Sequence, residues 1–204
     1  MKRLLLGLLS LLIAASGVSG NNSREAQEYS WKEAVPTPEE MAVIREIGED
    51  RYARENIACI GYDKMLKSFS SDPLTDGSDY PDYYAGAFVD DDGDLVINVT
   101  DDRDSVLAAL SENTGLAEVK TQKVRYSYRE LISITHELQE SVREAEPFVK
   151  DKVAGYGMDQ EQGLVRVYIR ETSNELEERI LAMTDRPDAI IFVKSDGFTA
   201  EEKR

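Results

Sequence analysis

The sequence contains only one cysteine and one histidine among its 204 residues. These are too few for a disulfide framework, for a zinc site built from Cys and His, or for a c-type haem. Basic residues are also scarce, because 24 Lys and Arg stand against 40 Asp and Glu and give a formal net charge of −16. A chain this acidic is a poor candidate for binding nucleic acid or an anionic membrane surface. Its hydrophobic content of 41% is nevertheless typical of a globular protein.

The first 20 residues have the layout of a secretory signal peptide. Lys2 and Arg3 precede an apolar run over residues 4–15, and small residues follow up to Gly20. The run is too short to span a bilayer, which argues against a membrane helix. We therefore expect a secreted, extracellular protein with no stable membrane insertion after signal removal. In such a protein Cys59 has no partner for an internal disulfide, and we expect it to pack as a small apolar residue.

A polar tether at residues 21–36 leads into an N-terminal helical segment with its loop, residues 37–80. The order Thr37-Pro38-Glu39-Glu40 gives an N-cap, a proline at the first helical position and a capping-box glutamate. Apolar spacing predicts a helix over residues 37–70, with Gly48 and Gly61 as the two places where it can break. The polar residues 71–82 predict a loop.

A unit of two strands, one helix and a third strand occurs twice in the region 84–194. Its copies begin at Ala85-Gly86 and Ala154-Gly155, 69 positions apart, and the same offset relates Leu95 to Leu164. The first copy predicts strands near 85–90, 95–99 and 116–125 and a helix near 104–113. The second predicts strands near 154–159, 164–169 and 189–193, with a helix opened by the capping box Thr172-Ser173-Asn174-Glu175.

One more helix is predicted between the two copies. Ser127 and Glu130 form its capping box, and its apolar residues make a single stripe: Leu131, Ile134, Leu138 and Val142. The expected fold is therefore α+β, with two ββαβ lobes joined by a helix and preceded by an N-terminal helix. A polar tail, residues 195–204, follows the second lobe.

The sequence contains no recognisable arrangement of catalytic residues. His136 lies off the apolar stripe of its helix, and His136-Glu137-Leu138-Gln139-Glu140 lacks the second histidine of the zinc motif. Cys59 has no base nearby in sequence. We therefore expect no catalytic, cofactor-binding or metal-binding residues. An enzyme that uses carboxylates alone, as glycosidases do, is an alternative of lower weight.

The run Asp90-Asp91-Asp92-Gly93-Asp94 resembles half of a calcium loop. Placing Gly93 at the glycine position of an EF-hand puts Phe88 and Val99 at ligand positions, so the EF-hand interpretation fails. The Asp-Gly pair predicts instead a type I′ hairpin turn. Weak calcium binding by this cluster, together with Asp101, Asp102 and Asp104, stays open.

The repeated unit resembles the pro-segment of secreted bacterial chymotrypsin-fold (S1) serine peptidases, the alpha-lytic protease and streptogrisin group. The resemblance extends over about residues 84–194 and is carried by three segments: 84–90, 93–100 and 124–131. In that family the pro-segment is an α+β chaperone and inhibitor. It clamps the C-terminal barrel of its peptidase through a sheet, and its C-terminal tail lies in the substrate cleft.

The resemblance implies an exported, non-catalytic protein that binds a secreted serine peptidase as folding chaperone or inhibitor. A peptidase domain would begin near residue 200, so the triad residues have no positions to be carried to. Residues 195–204 would correspond to the tail in the cleft, with Asp196, Gly197, Phe198 and Thr199 as partner-binding residues. The alternatives are a generic extracellular binding module of the same fold and a remnant of a truncated S1-like peptidase.

Overall fold

Helices and two small sheets make up the part of the chain that the computed structural model describes, residues 36–72 and 75–195. The helices are α1 (Pro38–Ile47), α2 (Glu49–Phe69), α3 (Asp104–Thr114), α4 (Tyr128–Glu144), α5 (Pro147–Lys150) and α6 (Asn174–Leu181), with a 3-10 turn at Pro187–Ala189. The strands are β1 (Tyr84–Val89), β2 (Leu95–Val99), β3 (Lys120–Lys123), β4 (Val153–Asp159), β5 (Leu164–Ile169) and β6 (Ile190–Lys194).

Each sheet has three strands in sequence order, β1-β2-β3 and β4-β5-β6. In both sheets the first two strands are antiparallel and the last two are parallel. The predicted α+β fold with two ββαβ units is therefore confirmed.

The chain consists of two compact units, residues 1–40 and residues 41–204. In the first unit, the predicted signal peptide and most of the tether lie outside the described residues. The capping box is present, because the Thr37 N–H donates to the Glu40 carboxylate (2.7 Å) and the Glu40 N–H donates to Thr37 Oγ1 (3.2 Å). Among the residues that the structure describes, none of the helices has the length and apolar character of a membrane span.

The predicted helix over residues 37–70 is two helices, and the break falls at Gly48. Gly48 has a φ of +88°, which L side chains rarely adopt, and α2 begins at the next residue. Gly61, the other candidate, lies inside α2. A Cβ there would be 3.1 Å from Leu116 Cδ1, so this glycine lets α2 approach the segment after α3.

The first lobe comprises α2, β1, β2, α3 and β3. The side chains of Leu95, Ile97 and Val99 alternate along β2 towards a core covered by α2 and α3. Met65 on α2 and Leu110 on α3 are fully buried in that core. One face of the first sheet is thus covered by two helices.

The second lobe comprises α4, β4, β5, α6 and β6. The predicted stripe of α4 is confirmed, since Leu131, Ile134, Leu138 and Val142 are all buried. The stripe packs on β5 side chains of the second sheet, and α6 completes the cover with Leu176 and Ile180. The capping box of Ser127 and Glu130 at the start of α4 is also present.

The helix before each ββαβ unit therefore belongs to that unit. Along α2, the residues that meet the first core are Ala58, Gly61, Met65 and Phe69. Their spacing is the same as that of Leu131, Ile134, Leu138 and Val142 along α4. The repeat is thus αββαβ, and α4 covers the second sheet as α2 covers the first.

The offset of 69 residues holds only for the first strand of each copy. Ala87 and Tyr156 are 69 positions apart, but their partners Ile97 and Val167 are 70 apart. The predicted match of Leu95 to Leu164 is therefore wrong, because Val165 takes the core position that Leu95 has in the first copy. The turn of the second hairpin is one residue longer than the turn of the first.

Three local predictions are wrong in detail. Asp92-Gly93 is not a type I′ turn, because only Gly93 has a positive φ (+89°) and its N–H donates to Asp90 O (3.0 Å). The cap of α6 is Ser173 rather than Thr172, and its Oγ accepts from the Leu176 N–H. The closing strand of the first copy, predicted over 116–125, is only the four residues of β3.

Aromatic rings connect the start of α4 to the first lobe. The Tyr128 ring centroid lies 5.5 Å from that of Tyr80 and 5.6 Å from that of Tyr84. Burial, followed by the neighbouring Tyr62, raises the pKa of Tyr84 well above its ordinary value. The rest of α4 packs on the second lobe, so this helix contacts both lobes.

We expect Leu138→Ala to lower the free energy of unfolding by about 2–5 kcal/mol, because it leaves a cavity between α4 and the second sheet. The neighbouring exposed residue provides the control, Gln139→Ala, which should change this free energy by less than about 0.5 kcal/mol. Urea unfolding monitored by circular dichroism measures both values. Equal stability of the two variants would contradict the assigned orientation of α4.

Candidate functional site

The second sheet ends in a strand whose outer edge has no strand partner among the described residues. β6 pairs with β5 only, and the Ser195 N–H continues this ladder by donating to Ile169 O (2.8 Å). Backbone groups of successive residues point to opposite sides of a strand. The N–H and C=O groups of Phe192 and Lys194 therefore point away from β5. We call these outward-facing groups of Ile190–Lys194 the β6 edge.

The β6 edge differs in composition from the equivalent edge of the first sheet. By their partners on β2 and β5, Lys120 of β3 corresponds to Ile191 of β6, and Gln122 corresponds to Val193. The Nζ of Lys120 binds the carboxylates of Asp90 (2.8 Å) and Asp94 (2.7 Å). Lysines on an edge strand discourage further strand pairing, and β6 has apolar residues where β3 has this lysine and glutamine. The β6 edge is thus the less protected of the two.

The apolar side chains of β6 continue onto the outer face of the second sheet. Ile191 lies opposite Arg166 and Val193 opposite Tyr168, and all four are partly buried on the face away from α4. The Tyr168 ring lies over Gly157, where a Cβ would be 3.3 Å from its Cε2 atom. The outer face therefore presents a tyrosine, an arginine and two branched apolar side chains beside the β6 edge.

Asp159 holds Arg166 in place on this outer face. Its Oδ2 pairs with Arg166 Nη2, and its Oδ1 accepts from the N–H groups of Glu161 (3.1 Å) and Gln162 (2.9 Å). Burial alone would raise the pKa of the Asp159 carboxyl, but Arg166 and these turn N–H groups together lower it below 3.8. The carboxylate therefore links the outer face to the turn between β4 and β5.

Residues 47–124 match the family described as a Pro-like N-terminal domain. No curated protein matches the chain. The matched residues run from the end of α1 to just beyond β3, and thus cover the first lobe. This similarity indicates that residues 47–124 form a pro-region-like domain. It begins 37 residues before the segment that resembles the S1 pro-segments and includes α2, which the structure assigns to the same unit.

The sequence-predicted partner residues Asp196, Gly197, Phe198 and Thr199 lie outside the described residues. They would follow directly after β6 and Ser195. Sequence reasoning therefore named the segment beyond the β6 edge but not the edge itself. A signal for the edge exists, since Lys120-Thr121-Gln122-Lys123 has two lysines while the corresponding Ile191-Phe192-Val193-Lys194 has one.

His136 and Cys59 lie on different helices, α4 and α2. His136 is exposed on α4, off the apolar stripe as predicted. Cys59 is partly buried on α2, and burial, followed by the charge of Glu55, raises the pKa of its thiol. A raised pKa disfavours the thiolate, which is the nucleophilic form.

The acidic run at residues 90–94 is a hairpin turn in which Asp90 is bound by backbone N–H groups of the turn and by a lysine. Asp90 Oδ1 accepts from the N–H groups of Asp92 (3.0 Å) and Asp94 (2.9 Å), while its Oδ2 binds Lys120. Within the described ranges, no three His, Cys, Asp or Glu side chains are arranged to hold a metal ion. Backbone donors and a lysine are thus the observed ligands of Asp90.

We expect Asp159→Asn to lower the free energy of unfolding at pH 7 and to reduce its loss in acid. The pKa of Asp159 is lower in the folded chain, so its stabilisation is present above about pH 4 and is lost as the pH falls through the folded pKa. Urea unfolding at several pH values between 7 and 2 measures this. Asp151→Asn, a change at an exposed carboxylate, is the control. If both variants have the same pH dependence, Asp159 does not stabilise the fold through its charge.

Proposed function

We propose that this chain is an exported, non-catalytic pro-segment-like protein that binds a secreted serine peptidase as folding chaperone or inhibitor. Three observations support the proposal: the signal-like N-terminus, the similarity of residues 47–124 to a Pro-like N-terminal domain, and the open β6 edge. The β6 edge is the observation that carries it, since it supplies the contact surface.

The β6 edge is suited to pairing with a strand of the partner. Its outward N–H and C=O groups can form a new ladder, and such main-chain bonds supply affinity in β-augmentation. The side chains of Ile191 and Val193 lie on the outer face beside that ladder, where they can bury against the incoming strand. A partner strand would extend the second sheet from three strands to four.

The proposal also assigns a role to the segment that follows β6 in the sequence. Asp196, Gly197, Phe198 and Thr199 follow the β6 edge directly in sequence. In the proposed complex these four residues bind the substrate cleft of the peptidase. The net acidic charge favours a partner with a basic surface.

We expect Ile191→Lys to weaken binding to the peptidase, because it places on β6 the residue that β3 has at the equivalent position. Residues 21–204 are mixed with each secreted serine peptidase of the source organism. The refolding yield of the denatured peptidase and the inhibition of its native form are then measured. Wild-type protein should raise the yield or inhibit, and I191K should lose at least about 90% of either effect.

Leu107→Lys provides the matched control, since Leu107 is an apolar side chain on α3 with 36% exposure and lies on the other lobe. It makes the same kind of change without touching β6, so it should act as wild type does. The proposal is wrong if wild-type protein affects no peptidase. Equal activity of I191K and wild type would contradict the role of the β6 edge. Binding to a protein that is not a peptidase would instead support a generic binding module.

A further inference from the structure

The longer turn of the second hairpin lies on the first lobe. Four residues, 160–163, separate the paired Asp159 and Leu164, one more than the three residues between Asp90 and Asp94 in the first copy. The side chains and carbonyl groups of this longer turn contact the outer face and edge of the first sheet. We call residues 160–163 the clasp.

Three hydrogen bonds join the clasp to the first sheet. The Ala87 N–H donates to Gln160 Oε1 (3.2 Å), and Asn98 Nδ2 donates to Gln160 O. Gln122 Nε2 donates to Glu161 O (2.6 Å). All three strands of the first sheet therefore contribute one donor each. Asn98 is fully buried, so its bond is shielded from water.

Glycines on both sides allow this close approach. Gly86 has a φ of +108°, and a Cβ there would lie 2.2 Å from Gln160 Oε1. Gly163 has a φ of +65°, and a Cβ there would lie 3.0 Å from Val124 Cγ1. A Cβ at Gly86 would therefore displace the Gln160 side chain, so the bond between Gln160 Oε1 and the Ala87 N–H depends on glycine at this point of β1.

Asp159 connects the clasp to the candidate site. The same carboxylate that accepts the N–H groups of Glu161 and Gln162 pairs with Arg166. Arg166 lies opposite Ile191 of β6. A chain of hydrogen bonds thus runs from Gln122 of the first sheet through Glu161 and Asp159 to Arg166. Arg166 lies on β5, the strand next to β6.

We propose that the clasp holds the two lobes in one relative orientation and that Gln160 is a positioning residue for partner binding at the β6 edge. The second part rests on the proposed function. The first part does not, because it concerns contacts within the chain. The clasp occupies the outer face of the first sheet at Asn98 and Gln122 and leaves the outer face of the second sheet to a partner. A partner that touches both lobes would lose affinity when their orientation is no longer held.

Hydrogen exchange without any peptidase tests the clasp itself. In Gln160→Ala the Ala87 amide loses its acceptor, and its exchange should accelerate about five- to tenfold. Gln160→Glu keeps an acceptor oxygen and should restore slow exchange. Gln162→Ala, at an exposed position of the same turn, is the control and should leave the Ala87 amide unchanged. Unchanged exchange in Q160A, or faster exchange in Q162A, would overturn the clasp.

Peptidase binding tests the positioning role separately. Wild type, Q160A, Q160E and Q162A have the same β6 sequence, so a difference between them reports on orientation. We expect Q160A to raise the inhibition constant about tenfold, with Q160E and Q162A close to wild type. Faster exchange of Ala87 together with unchanged inhibition by Q160A would overturn the positioning role. Absence of inhibition by wild type would refute the proposed function, while the exchange data would still decide the clasp.

Discussion

Burial of one face of a three-stranded sheet under two helices is the constraint on which both lobes depend. A sheet this small has little apolar surface, so its stability comes from the helices packed across it. In the first lobe α2 and α3 supply this cover, and in the second lobe α4 and α6 supply it. The αββαβ unit is therefore the smallest segment that buries a complete core. The match of residues 47–124 covers one such unit and ends before α4 begins.

The sequence predicts those features that depend on neighbours along the chain. The stripe of α4, the capping boxes at Thr37 and Ser127 and both hairpins follow from local spacing, and the structure contains all of them. The sequence predicts that the helix over residues 37–70 can break at Gly48 or Gly61, but it does not choose between them. The choice requires knowing that Gly61 lies inside α2 against Leu116, and this is a tertiary contact.

Features that depend on pairing between distant residues could not be predicted in this way. The extra residue in the second turn changes the face of each β5 side chain relative to a simple offset of 69, because side chains alternate along a strand. Only the register shows that Val165 rather than Leu164 points into the core. The β6 edge was missed for the same reason, since strand order decides which strand is outermost.

The two copies have diverged where they would otherwise be interchangeable. A chain with two open apolar edges could pair with other chains at both of them and associate without limit. Here the edge of β3 carries Lys120 and Gln122, and the outer face beside it binds Gln160 and Glu161 of the second lobe. The side chains that occupy the equivalent positions on β6 are Ile191 and Val193. The first lobe thus uses its outer face to bind the second, and of the two equivalent closing strands β3 and β6 only β6 keeps apolar residues at these positions, which suits a chain that pairs with a partner strand there.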